Sequence, residues 1–187
     1  MLRSSILYTA LLLGVNGAHA GAVDWEAARA AGLTKLAPLE QPVPVPDTAF
    51  VDAEGVQKQL ADWHGQVLLV NFWATWCAPC RFEMPSFERV YKNKKDAGFV
   101  IVGIATDRAG DGEVRRFLAE RGISYPVAMA TGEVERAFGG VNALPTSFLI
   151  GRDGTIRHQV RGIFAEPTLR MAVDRLLAEP PTLQGDS

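Results

Sequence analysis

The sequence predicts an α/β domain: a central sheet, part parallel and part antiparallel, with helices on both faces. Three observations predict it. Two continuous apolar runs of strand length, Val67–Ala74 and Phe99–Thr106, each precede a stretch with helical spacing. Strand-like and helix-like segments then keep alternating as βαβαβα. Finally, two short strands flank Gly151-Arg152-Asp153-Gly154, whose Asp-Gly pair suits a hairpin turn, and a last helix follows.

The elements follow in chain order. Arg3 is the one charged side chain of the first twenty residues, Ile6 to Val15 is an apolar run of ten, and Ala18-His19-Ala20 has the small–x–small pattern of a cleavage site. Residues 1–20 are therefore expected to be a secretory signal peptide, cut between Ala20 and Gly21. An uncleaved membrane anchor is the alternative, although a span needs ~20 apolar residues. Residues 21–45 read as an N-terminal extension, with a short helix over 21–37. Pro38, Pro42, Pro44 and Pro46 then predict an extended polyproline-like connector rather than a strand or helix.

The main domain is expected over 46–178. Phe50 to Leu60 suggests a small hairpin turning at Asp52-Ala53-Glu54-Gly55. After the strand Val67–Ala74, a helix runs from Cys77 to about Lys92 with Cys80, Met84, Phe87 and Tyr91 along one face. Phe99 to Thr106 is the next strand, and Glu113 to Glu120 a helix stopped by Gly122. Tyr125 to Ala130 is a third strand and Glu133 to Phe138 a short helix. Thr146–Ile150 and Thr155–Val160 form the hairpin. Pro167 opens the last helix, with Leu169, Val173 and Leu176 at helical spacing. Residues 179–187 read as a flexible polar tail.

The full chain has 187 residues and a formal charge of −2, becoming −3 once the leader with its one arginine is removed. Nothing in that balance points to nucleic acid or an anionic membrane surface as partner. No added domain is present to dimerise the chain, so a monomer is expected.

Cys77 and Cys80 are the two cysteines of the chain. A disulfide closing so short a loop stabilises by only ~2 kcal/mol, against ~4.7 for a 100-residue loop. A Cys-x-x-Cys pair between an apolar strand and a helix is instead a place for thiol–disulfide exchange. The N–H groups and positive dipole end of the helix favour a thiolate. Cys77 is expected to be the exposed attacking sulfur and Cys80, one turn further in, the shielded resolving one. Pro79 stiffens the first turn without breaking it. Glu83 lies one turn past Cys80 on nearly the same helix face. A partly desolvated carboxylate there could accept the Cys80 proton. The alternative is a solvated surface glutamate near Arg81 and Arg89. His64 and His158 are read as structural.

Trp-Cys-Ala-Pro-Cys after an apolar strand, Pro85 beyond it, and Leu144-Pro145-Thr146 before the last hairpin resemble a thioredoxin fold. The N-terminal leader and the additional helix and strand from about Gly110 to Ala130 resemble the TlpA/ResA-like periplasmic thiol–disulfide oxidoreductases. The resemblance covers roughly Pro46 to Leu177. It implies that Pro145 is a cis proline facing the disulfide and that the Leu144 backbone pairs with an extended substrate beside Cys77. Trp76, Ala78, Pro79, Leu144 and Thr146 would form the docking surface, with Trp73 a partly buried scaffold. Thioredoxin carries a buried aspartate where this chain has Asn71, whereas ResA-like members carry a glutamate at the position of Glu83.

The resemblance implies a periplasmic enzyme that delivers electrons to oxidised cysteines of client proteins, such as apocytochromes c or copper-site proteins, and receives them from a membrane thiol donor. A reductase is favoured, because Ala78-Pro79 places no histidine or charge between the sulfurs to stabilise the reduced form. The alternatives are a disulfide oxidase and a Cu(I)-handling protein using the two thiolates. No cofactor beyond the Cys77–Cys80 couple is expected, and no structural zinc, which would need four ligands.

Overall fold

The computed structural model describes residues 37–46, 48–52, 55–108 and 110–180, with side chains from Pro44 onward. The expected signal peptide, the helix over 21–37 except for Ala37, and the tail from 181 lie outside those residues.

Six strands form one mixed sheet in the order β1-β8-β7-β4-β5-β6. β4 (Val67–Trp73) sits near the middle, parallel to β5 (Phe99–Ala105) on one side and antiparallel to β7 (Thr146–Ile150) on the other. β6 (Val127–Met129) continues the parallel half. β8 (Thr155–Arg161) turns back on β7 through the Gly151–Gly154 turn, where Gly154 takes φ 72°. That backbone region suits glycine. A separate two-stranded hairpin, β2 (Ala49–Val51) and β3 (Gln57–Gln59), reaches the far edge through an isolated bridge between Asp52 and Ala128.

Among the described residues four α-helices join them: α1 (Ala78–Lys94), α2 (Asp111–Arg121), α3 (Gly132–Ala137) and α4 (Glu166–Ala178). Alternation along β4 sorts the core into two layers. Val67, Leu69 and Trp73 point to the face covered by α1, α2 and α4. Leu68, Val70 and Phe72 point to the other, with Phe50, Leu60, Val134 and Phe138. Helices thus lie on both faces, as the alternation of segments predicts.

Two expectations are corrected. Residues 37–44 form a strand, β1, paired antiparallel to β8 with a register shift between Pro38 and Val43. Prolines read as a connector because they lack the N–H a ladder uses, but an edge strand can leave those positions unpaired. At the other end Glu179 is anchored rather than frayed. Its carboxylate lies 3.3 Å from Arg157 and its carbonyl accepts from Arg152 at 3.4 Å.

Candidate active site

The loop after β4 carries Cys77 to the start of α1. Its hold is a buried carboxylate: Asp107, past the end of β5, accepts the Thr75 N–H at 3.1 Å on both oxygens and also the Thr75 hydroxyl. Cys77 caps the helix, and the Cys80 N–H donates to its Sγ at 3.3 Å. Pro79 occupies the first turn, where no helix hydrogen bond is lost. The two sulfurs are joined in a disulfide with Cα atoms 5.3 Å apart. Cys80 is fully buried. Cys77, expected to be exposed, is only 4 % accessible.

Cys77 meets solvent at the wall of a groove of about 490 Å³. Trp76, Ala78 and Pro79 line one side of it and Leu144 the other. Trp76 is 70 % exposed, the Leu144–Pro145 peptide is cis, and Pro145 is buried. Arg108 and Glu135 also line the groove and add opposite charges to it, a feature the sequence reading missed because they come from distant loops and helices. Thr146, expected at the docking surface, is buried beneath it. Its place as the first residue of β7 turns its hydroxyl to the Ala143 carbonyl at 2.8 Å.

Behind the disulfide, Glu83 is 2 % exposed, so the solvated alternative fails. Arg89 pairs instead with Glu166 at 2.6 Å. One Glu83 oxygen accepts the Phe164 N–H at 2.9 Å and the other accepts from Asn71 Nδ2 at 3.1 Å. Burial pushes the carboxyl up to about 8, against the lowering pull of those two donors. That value lies near the range of an ordinary thiol.

Asn71 is a site residue that the sequence reading notes only as a departure from thioredoxin's aspartate. Its signal was visible: it is the one polar residue in β4. Trp73 is fully buried rather than partly, and its indole nitrogen lies against Gly103, where a Cβ would come within 2.9 Å. His64 packs on Gly154, and His158 is buried in β8. Among the described residues no three His, Cys, Asp or Glu side chains gather as a metal site. No described helix is long and apolar enough to cross a membrane.

A model of the AhpC/TSA family matches residues 42–159. The chain belongs to that family. It is 35 % identical over 130 residues to the thiol–disulfide oxidoreductase ResA of Bacillus thuringiensis subsp. konkukian, covering 69 % of this chain and 74 % of that one. With ResA of Bacillus subtilis it shares 32 % over 123 residues, 65 % of this chain and 67 % of that one. Among solved structures, a thioredoxin-family thiol:disulfide interchange protein from Chlorobium tepidum superposes with a TM-score of 0.69 at 35 % identity, covering 75 % of this chain and 99 % of that one. The fold is that of thioredoxin and the protein is a ResA-like thiol–disulfide oxidoreductase. For an AhpC/TSA member of this kind the geometry has a plain chemical reading. Cys77 faces the groove, Cys80 sits behind it, and a buried carboxyl with a thiol-like affinity for protons lies one turn further in.

Proposed function

We propose that this thiol–disulfide oxidoreductase works in the periplasm as a disulfide reductase for client proteins. The observation that carries the reading is Cys77 at the groove with buried Glu83 behind Cys80. In the reduced enzyme the Cys77 thiolate attacks one sulfur of a client disulfide. A Cys77–client mixed disulfide forms and the first client thiolate leaves. Glu83, in its carboxylate form, then takes the proton of Cys80, whose thiolate attacks Cys77 Sγ. The second client thiolate leaves, and the new Cys77–Cys80 disulfide has lost the two electrons that the client has gained. A membrane thiol donor returns the enzyme to the dithiol. The extended client lies along Leu144, beside the cis Pro145, with Trp76 and Pro79 opposite. Clients of the class that needs free cysteines for metal or haem attachment fit this chemistry.

Direction rests on what stabilises the reduced form. Among the described residues one N–H reaches Cys77 Sγ in the disulfide form, and neither Ala78 nor Pro79 adds a charge or side-chain donor. The test is the reduction potential of Cys77–Cys80, read by tryptophan fluorescence in a thiol redox buffer. A value near or below ~−270 mV is expected; one near ~−120 mV would identify an oxidant and overturn the direction.

A further inference from the structure

Asn71 is fully buried in a strand whose other side chains are apolar, and it faces α1. Strand register sets its neighbours. Ser147 of β7 and Gly103 of β5 stand directly beside it. The amide Nδ2 donates to Glu83 Oε1 at 3.1 Å and to Ser147 Oγ at 3.0 Å, while the amide Oδ1 finds no donor. Buried acceptors are rarely left unmet without a reason.

We propose that Asn71 is a positioning residue that serves Glu83 in both protonation states, donating to the carboxylate through Nδ2 and, after a half-turn of the amide, accepting from the carboxylic acid through Oδ1. An amide carries a donor and an acceptor on one pivot, and the Ser147 hydroxyl can give or receive a hydrogen bond to match. The Phe164 N–H occupies Oε2 throughout, which directs the incoming proton to Oε1, beside Asn71. The step is Cys80–SH and Glu83–COO⁻ becoming Cys80–S⁻ and Glu83–COOH, with no other reactant. An aspartate at 71 could accept from the acid but would repel the carboxylate; an apolar residue could do neither. The inference rests on the reading of Glu83 as the acceptor of the Cys80 proton.

Other titratable groups bear on this pocket. Cys80 lies one turn before Glu83. The buried Tyr125 hydroxyl is held well above its ordinary range by burial, with the Glu83 and Glu88 charges adding to the effect. Neither reaches Asn71 through a hydrogen bond among the described residues.

The test uses the full chain, reduced and mixed with oxidised glutathione, with loss of the glutathione mixed disulfide followed by mass spectrometry from pH 5 to 10. Four variants are compared with the parent: Glu83→Gln, Asn71→Leu, their double, and Asn71→Asp. Asn71→Leu is expected to slow resolution about tenfold, the order of one hydrogen bond to a charged group, and to move the midpoint of its pH profile. In the Glu83→Gln background the same change is expected to add nothing, because no carboxyl remains there to take up or release a proton. Equal slowing in both backgrounds would make Asn71 mere scaffold and overturn the inference. Should Asn71→Leu not fold, Asn71→Asp decides. Its second carboxyl should displace the midpoint upward, and an unmoved midpoint overturns the proposal. If Glu83→Gln alone leaves the rate unchanged, the reading of Glu83 fails first, and the role of Asn71 fails with it.

Discussion

Replacing Glu83 by glutamine should make the oxidised protein more stable, and increasingly so as pH rises. The unfolded chain ionises this carboxyl around 4.5, whereas the fold holds it protonated up to about 8. Between those values the folded state binds the extra proton, so stability falls with rising pH. The contribution is whole below 4.5 and lost once pH passes 8. Each pH unit of that window is worth ~1.4 kcal/mol, giving a loss of about 5 kcal/mol across it and about 3 by pH 7. That is a large share of the ~5–15 kcal/mol a domain commonly has. Glutamine is neutral throughout and keeps an acceptor for the Phe164 N–H. The two proteins should therefore agree within about 1 kcal/mol at pH 4.5 and diverge by ~3–5 at pH 8 to 9. Carboxylates whose fold lowers their proton affinity, Glu88, Asp153 and Glu166, act at acid pH in both proteins and cancel in the difference. Urea unfolding of the disulfide form, followed by tryptophan fluorescence at each pH, measures the gap without cysteine titration intruding. Parallel stability curves from pH 5 to 9 would show an ordinary ionised glutamate and remove the basis for its role as proton acceptor.

Four other substitutions have defined outcomes. Cys80→Ser should trap client or glutathione on Cys77 as a stable mixed disulfide, visible as an adduct by mass spectrometry; Cys77→Ser should trap none. Asp107→Ala removes a buried charge that holds the Thr75 backbone and hydroxyl, and should cost ~2–3 kcal/mol in urea unfolding as well as slowing insulin-disulfide reduction. Gly103→Val pushes side-chain atoms into Trp73, Val127 and Tyr125, the first of them 2.9 Å from where a Cβ would stand. Overpacking of that kind should cost ~1–3 kcal/mol, and a thermal midpoint equal to the parent's would contradict the close contact.

Local patterns in the chain reveal the helix-borne part of the site and conceal the sheet-borne part. Cys77, Cys80 and Glu83 share one helix, so periodicity alone stacks them. Asn71 was readable as an odd polar residue in an apolar strand, but its meaning depends on Ser147, a partner 76 positions away. Register between distant strands leaves no local mark, which also hides Gly103. The Phe164 donor is a backbone group and has no residue-type signal at all. β1 was misread for a different reason. Proline content excludes a central strand, yet at an edge half the backbone groups need no partner.

That edge has a bearing on traffic around the molecule. β1 offers a newcomer a rim in which three of eight residues are prolines, and at the opposite end β6 is three residues long and touched by the Asp52 bridge. Unpaired strand rims recruit loose polypeptide indiscriminately, and short or proline-broken ones do so poorly. A half-unfolded chain drifting against this sheet is refused a ladder at both margins. On the function proposed above, the berth left to it lies along Leu144, where lingering brings its sulfur to Cys77.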